Sequence, residues 1–286
     1  MQIGFIGAGL MGGPLARNLI RAGRQVLVYD LNRKAIQRTL EAGSTGQEAS
    51  SLSELAGCNL VFTSLPLPEH VKGVVLGEDG LYSQLSKGAT HIELSTIDPG
   101  TANELAEAAA ATGLGYIQCT LGKTPAHAEK AEEPMFIGGD KDLVEKHQDI
   151  FKLIGIPHYV GSIEASCAVK LISNMIGMTN LAVLAEGIRV GDKAGLDRAQ
   201  LLELLTDTGA RSFQMDVRGP WIAAGDFEPR FAVDLALKDV RLGLEMARSW
   251  NLDLKAMEAA LKHFQKCSES GFGREDCNAV CKIIGE

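Results

Sequence analysis

The chain opens on an apolar run that passes straight into glycines, QIGFIGAGLMGGPLARNLI. Gly7, Gly9 and Gly12 stand in the G-x-G-x-x-G spacing, with a strand-like stretch before them and an amphipathic helical stretch after. In that context the motif narrows the fold to a β–α–β unit that binds a dinucleotide. Gly7 permits the tight turn, Gly9 lets backbone approach a pyrophosphate, and Gly12 lets helix and strand pack closely. The anion then rests on free N–H groups at the helix N-terminus. Leu10 and Met11 fill the variable positions and count with the glycines as cofactor-binding positions.

The second strand candidate ends VLVYDLNRK. Asp30 falls about 20 residues beyond the motif, where a carboxylate accepts from the ribose hydroxyls of NAD and repels the extra phosphate of NADP. Arg33 lies close by and acts in the opposite sense. The expected cofactor is NAD(H) in preference to NADP(H).

Short apolar runs continue through the first half: NLVFTSLP, THIELS, GYIQCT and MFIGG, separated by helical segments such as GTANELAEAAAATG. That alternation predicts a parallel sheet with crossover helices. After Gly161 the pattern changes. Residues 165–194 contain no proline and read as one long helix, followed by helical stretches at 197–206, 233–250, 254–268 and 274–284. No strand candidate appears there. The expectation is an α/β chain with an N-terminal Rossmann domain over residues 1–162. A long interdomain helix and an all-α C-terminal domain follow, over residues 163–286.

A formal net charge of −8 leaves no basic excess to neutralise phosphates, so a nucleic-acid partner is not expected. The start MQIGFIGAG lacks the charged region of a signal peptide, and no apolar run reads as long enough to span a membrane. The six cysteines are scattered without a CxxC pair, which points away from a metal site or a disulfide framework. They read as small buried hydrophobes in a reduced, cytoplasmic protein.

The stretch SCAVKLISNMIGM carries Lys170 and, four residues on, Asn174, so a helix would project both from one face. From the helix alone, a snorkelling lysine and a functional one are both open. Taken with the glycine loop, these residues resemble the β-hydroxyacid dehydrogenases, and the similarity spans nearly the whole chain in order. SLP at Ser64–Pro66 resembles that family's loop over the cofactor, which implies roles for Leu65 and Pro66. ELSTIDP resembles its D-x-S-T-x-x-P turn, whose threonine, here Thr96, lies by the nicotinamide. AVKLISN matches its K-x-x-x-N helix, and FAVDLALKD its F-x-x-x-L-x-x-K-D segment, where Lys238 would close over the cofactor. The resemblance implies that Lys170 exchanges the proton of the substrate oxygen, with Asn174 holding the lysine or the substrate. It also implies a homodimer or homotetramer formed through the all-α half.

Two departures stand out. Where the family has a G-x-x-G-x-G run before the lysine, GSIEASCAVK keeps Gly161 but carries Glu164 and Ser166. Glu164 beside a cofactor phosphate would be unfavourable. The substrate loop, roughly D-A-P-V-S-G-G in the family, here reads QCTLGKTPAHAE. Gly122, Lys123 and Thr124 stand in place of S-G-G, with His127 after them. A phosphate-binding G-x-x-x-x-G-K-T reading fails, because the position of the first glycine is Ile117. The loop instead resembles that of the sulfolactaldehyde reductases within the family, where an arginine in the Lys123 position meets the sulfonate. The expected partner is therefore a small anionic aldehyde or hydroxyacid. A carboxylated semialdehyde is the alternative substrate, and a dinucleotide-binding scaffold without chemistry is the competing class. The presence of Lys170 argues against that scaffold.

Overall fold

The structure is a computed structural model and describes residues 1–285. The chain divides into two compact units, Met1–Lys170 and the residues from Leu171 onward.

The first unit is built on one eight-stranded sheet: β1 Gln2–Ile6, β2 Gln25–Tyr29, β3 Gly46–Glu48, β4 Leu60–Thr63, β5 Thr90–Glu93, β6 Gly115–Leu121, β7 Pro134–Gly139 and β8 Ile156–Gly161. Their order is β3-β2-β1-β4-β5-β6-β7-β8. The chain thus runs outward from β1 in one direction and from β4 in the other. The C-terminal ends of these two strands form the switch point where such sheets bind ligands. Both sheet faces are covered, which explains why the strands read as continuous apolar runs. Ile3, Phe5, Val26, Val28, Leu60, Phe62, Ile92 and Ile117 bury one face. Ile6, Leu27, Val61 and Tyr116 bury the other.

The sheet departs from the expected parallel pattern at one pairing. Strands β6 and β7 are antiparallel, with Leu121 opposite Met135 and Ile117 opposite Gly139. The segment between them holds only the short helix Pro125–Glu129 and cannot carry a chain back across the sheet. Strands β3 and β8 were not expected. GQE is three residues long and polar, and IPHYVG carries a proline and stays largely exposed at the sheet edge.

The second unit is helical. The long helix Ile163–Lys193, which runs into it from the first unit, is followed by helices Arg198–Thr206, Phe213–Ala224, Val233–Ser249 and Lys255–Cys267. Helix Phe213–Ala224 was not anticipated, because Pro220 inside it reads as a break. The expected helix over 274–284 is instead a 3₁₀ turn, Cys277–Ala279, capped by Asp276, and one short helix, Val280–Ile283. All six cysteines are buried free thiols.

The expectation that no run is apolar enough to cross a membrane needs correcting. An 18-residue window of the long helix reaches a mean hydropathy of 1.4, enough by length and composition. The cause is that two faces are apolar. Met175, Met178, Leu181, Ala185 and Ile188 line the core of the helical unit. Ile172, Ile176, Val183 and Val190 form a second stripe that stays 44% to 71% exposed.

Candidate active site

The glycine loop is shaped by missing side chains. Gly7 has φ +91°, and a Cβ on it would lie 2.2 Å from the Ser64 carbonyl oxygen. A Cβ on Gly12 would lie 2.0 Å from the Gly7 carbonyl oxygen, so the first helix can approach the strand only there without one. Gly9 differs: a Cβ on it would meet nothing within 4 Å. The space beside Gly9 is the cradle a pyrophosphate needs, and the residues present fit a dinucleotide. Met11 is half-buried and Leu10 is exposed at the turn. Asp30, at the end of β2, accepts from the Ala8 N–H at 2.6 Å and the Asn32 N–H at 2.7 Å. Its carboxylate therefore joins the glycine loop to the second strand. Arg33 is paired with Glu48 at 3.3 Å.

The loops after β4 and β5 are tied together from beneath. The Leu65 N–H donates to Ser95 Oγ at 2.8 Å, and the Ser95 N–H donates to Glu93 Oε1 at 2.6 Å. Leu65 and Thr96 are half-buried and Pro66 is exposed, all on these two loops. Glu93 is fully buried, and Thr63 Oγ1 donates to its Oε2 at 2.6 Å. His91 Nε2 lies 2.7 Å from Thr63 Oγ1, and its Nδ1 lies 2.8 Å from the Tyr82 hydroxyl. If Thr63 donates to Glu93, His91 must donate through Nε2 and accept from Tyr82 through Nδ1. Burial pushes the Glu93 carboxyl up to about 7 against its bonds to Ser95 and Thr63. Burial also lowers His91 to about 3.

The loop between β6 and β7 holds the expected substrate residues. Gly122 packs under the rings of Pro134 and Phe136, where a Cβ would come within 2.8 Å. The side chain of Thr124 bonds His127 Nδ1 at 2.9 Å. Lys123 is exposed at this end of the hairpin, while its backbone N–H donates to Glu133 Oε1. The loop is also fixed to the glycine-loop helix. Arg17 and Arg21 both pair with Glu129, holding its carboxyl down at about 2, and Asn18 Nδ2 donates to the Ala128 carbonyl at 2.7 Å.

Lys170 and Asn174 lie one turn apart on the long helix, and both are half-buried. The charge of Lys170 acts on Glu133 together with that of Lys123. Within the helical unit, Asn174 Nδ2 donates to Asp239 Oδ2 at 2.5 Å, and Lys238 Nζ pairs with Asp239 Oδ1 at 2.9 Å.

The departures before Lys170 have structural accounts. Ser166 is buried, its hydroxyl donates to the Phe136 carbonyl at 2.6 Å, and its own carbonyl accepts from Thr120 Oγ1 at 2.9 Å. Close approach is kept by a glycine on the strand instead: a Cβ on Gly138 would lie 2.1 Å from the Ser162 carbonyl oxygen. Glu164 accepts from Asn103 Nδ2 at 2.9 Å, and its carboxyl is held below the usual range by its own backbone N–H, Ser162 and Asn103.

Residues 2–168 match the family described as the NAD binding domain of 6-phosphogluconate dehydrogenase. Residues 165–284 match that described as the NAD-binding domain of NADP-dependent 3-hydroxyisobutyrate dehydrogenase. A 2-(hydroxymethyl)glutarate dehydrogenase of Eubacterium barkeri is 32% identical, over 99% of this chain and 94% of its own. The chain belongs to the β-hydroxyacid dehydrogenase family. A 3-sulfolactaldehyde reductase of Escherichia coli is 28% identical over 99% of this chain and 95% of its own. The crystal structure of a 3-hydroxyisobutyrate dehydrogenase from Salmonella typhimurium matches with a TM-score of 0.92 at 26% identity, covering 99% of this chain and 100% of that one. As a β-hydroxyacid dehydrogenase the protein is an NAD(P)-dependent oxidoreductase.

Sequence reasoning missed several buried polar residues that lie beside the expected positions in each unit. Glu93 and His91 sit inside an apolar strand, THIE, which was the available signal. Asp239 stood in a quoted motif, but only its neighbour Lys238 was singled out. Glu133 belongs to an acidic doublet, of which Glu132 is exposed and Glu133 buried, and nothing local distinguishes them.

Proposed function

We propose that this enzyme reduces a short aldehyde carrying an anionic group, with NADH as the reductant, or oxidises the matching hydroxyacid-type alcohol. Gly7, Gly9, Leu10, Met11, Gly12 and Asp30 hold the dinucleotide, with Leu65, Pro66 and Thr96 completing its site in the first unit; the resemblance to the family assigns Lys238 to the same cofactor. The nicotinamide, when bound, supplies the hydride. As the carbonyl becomes an alkoxide, the Lys170 ammonium stabilises the charge and then gives up its proton to the oxygen. Asn174, held by Asp239, orients that region of the helix. The pairing of Arg33 with Glu48 supports NADH over NADPH, because the guanidinium already has a carboxylate partner.

The observation that carries the substrate assignment is the loop Gly122–His127. It presents an exposed ammonium, Lys123, above a backbone pinned by Glu133 and a Thr124–His127 hydrogen bond. A sulfonate is tetrahedral with three acceptor oxygens, and Lys123, Thr124 and His127 can serve it without the planar fork that a carboxylate favours. We therefore place a sulfonated aldehyde such as 3-sulfolactaldehyde first, with reduction giving 2,3-dihydroxypropane-1-sulfonate. A carboxylated semialdehyde is the second reading, favoured by the 2-(hydroxymethyl)glutarate dehydrogenase relative. The exposed apolar stripe on the long helix supports a homodimer or homotetramer, and six buried free thiols support a reduced, cytoplasmic setting.

The test is NADH oxidation against glyoxylate and succinic, methylmalonic and tartronic semialdehydes together with sulfolactaldehyde, repeated with NADPH. The highest kcat/KM is expected for sulfolactaldehyde with NADH. A carboxylated aldehyde in first place refutes the sulfonate assignment, and equal use of the two cofactors refutes the role given to Asp30.

A further inference from the structure

Glu133 is fully buried at the start of β7, one residue before Pro134. Continuing the β6–β7 register past Leu121 and Met135 places it across the hairpin from Lys123. Its backbone is fixed to the sheet edge, where its carbonyl accepts from the Ile156 N–H at 2.8 Å. Its side chain reaches the other way, and Oε1 accepts the Lys123 N–H. Oε2 is buried and has no hydrogen bond among the described residues. A buried carboxylate oxygen left in that state is costly unless charge compensates it.

The compensating charges are identifiable. Burial pushes the Glu133 carboxyl up, while the N–H groups of Lys123 and Gly122 and the ammonium charges of Lys170 and Lys123 pull it down. The Cys119 thiol on β6 is pushed up by burial and by the charge of Glu133. Two cations thus act on one buried anion. One of them lies on the candidate substrate loop, and the other is the candidate proton donor.

Resting on the site reading above, we propose that Glu133 is a positioning residue of the substrate site. It clamps the loop at Lys123 through Oε1, and its orphaned, buried Oε2 is the counter-charge for the ammonium groups of Lys123 and Lys170. Lys123 and Lys170 share this one buried carboxylate, and its loss would leave both ammonium charges without it, which favours their deprotonation. With Glu133 present, the two lysines and the one carboxylate leave a net positive charge for an anionic substrate.

The experiment compares Glu133→Gln and Glu133→Leu with the unmodified enzyme. Amide hydrogen exchange at Lys123 reads the clamp, and the titration of Lys170 is followed by NMR of ¹³C-dimethylated lysines, with Lys170→Arg assigning the signal. Glu133→Gln keeps the shape, removes the charge and retains an acceptor for the Lys123 N–H. It is expected to lower the Lys170 titration midpoint by about one pH unit, and to move the alkaline limb of kcat/KM by the same amount. Glu133→Leu is expected in addition to speed Lys123 exchange about tenfold or more, with KM for the best aldehyde rising and NADH affinity retained. An unchanged Lys170 midpoint in both variants, or unchanged Lys123 exchange in Glu133→Leu, overturns the proposal. Neither readout needs turnover. A shifted Lys170 midpoint in a protein whose Lys170→Ala variant still turns over normally would confirm the electrostatic link and refute the catalytic reading instead.

Discussion

In the function proposed above, the glycine loop and the β6–β7 hairpin solve the same problem, holding an anion, by opposite means. The glycine loop works by leaving side chains out. Gly7 and Gly12 make room for neighbouring backbone, and Gly9 leaves an open space just before the first helix. The hairpin works by putting charge in. Lys123 faces solvent while Glu133, ten positions along the chain, holds its backbone from the interior. Backbone N–H groups bind any phosphate with little discrimination. A side-chain ammonium on a clamped loop can be exchanged for another group and so can set which anion is accepted. The cofactor end is therefore generic and the substrate end particular.

The largest effect belongs to the residue the hairpin's carboxylate acts upon. Lys170→Ala is expected to lower kcat by about 10²–10⁴ while NADH affinity stays within about threefold, measured by steady-state kinetics and fluorescence titration. Normal turnover would remove Lys170 from the reaction. Next in size is a contrast within the glycine loop. Gly12→Ala forces a Cβ into the Gly7 carbonyl and should cost about 1–3 kcal/mol in urea denaturation. Gly9→Ala should leave stability unchanged and weaken NADH binding about tenfold. If the two variants behave alike, the division between packing glycine and binding glycine fails. At the hairpin, Lys123→Ala should raise KM for the best aldehyde at least about tenfold, roughly 1.4 kcal/mol, with a smaller change in kcat. An unmoved KM would make Lys123 an ordinary solvated lysine.

The smallest effect tests whether the nucleotide end also rests on a buried carboxylate. His91, lowered from 6.5 to about 3, contributes stability above pH 6.5 that is lost as pH falls toward 3. Glu93, raised from 4.5 to about 7, contributes stability below pH 4.5 that is lost as pH rises toward 7. Between 4.5 and 6.5 the two slopes cancel. Other groups act in the same window: His147, lowered by burial to about 4, has a slope of the His91 sign, and Glu133, raised by burial, one of the Glu93 sign. The test is therefore the difference in denaturant midpoints between Glu93→Gln and the unmodified protein, and the variant should lose up to about 1.4 kcal/mol more per pH unit on acidification. Parallel profiles would mean that Glu93 does not titrate as described.

What could be read in advance follows the same division. Six of the eight strands, the long helix and the glycine loop announce themselves, because apolar periodicity and missing side chains are written locally. Strands β3 and β8 do not, since a three-residue polar strand and a proline-bearing edge strand have no periodic signature. The antiparallel turn of β7 is hidden for another reason: strand patterns carry no direction, and only the lack of room for a crossover reveals it. At the candidate site, Gly7 and Asp30 came from motif spacing, and Lys123 and Lys170 from the resemblance to the family. Glu133 and Glu93 were invisible because their hydrogen-bond partners lie across the sheet. Burial separates Glu133 from Glu132, and burial is a property of the fold.

The antiparallel pairing of β6 with β7 has an evolutionary consequence. The substrate loop begins and ends on two adjacent strands, so its ends stay one strand spacing apart whatever lies between them. Lengthening such a loop costs closure entropy only logarithmically. A lineage can therefore rewrite this segment while the dinucleotide end is left untouched. The hydrogen bond between the Lys123 N–H and Glu133 is the constraint on that freedom: backbone makes it at 123 and a side chain makes it at 133, so it survives drift at the first position and not at the second.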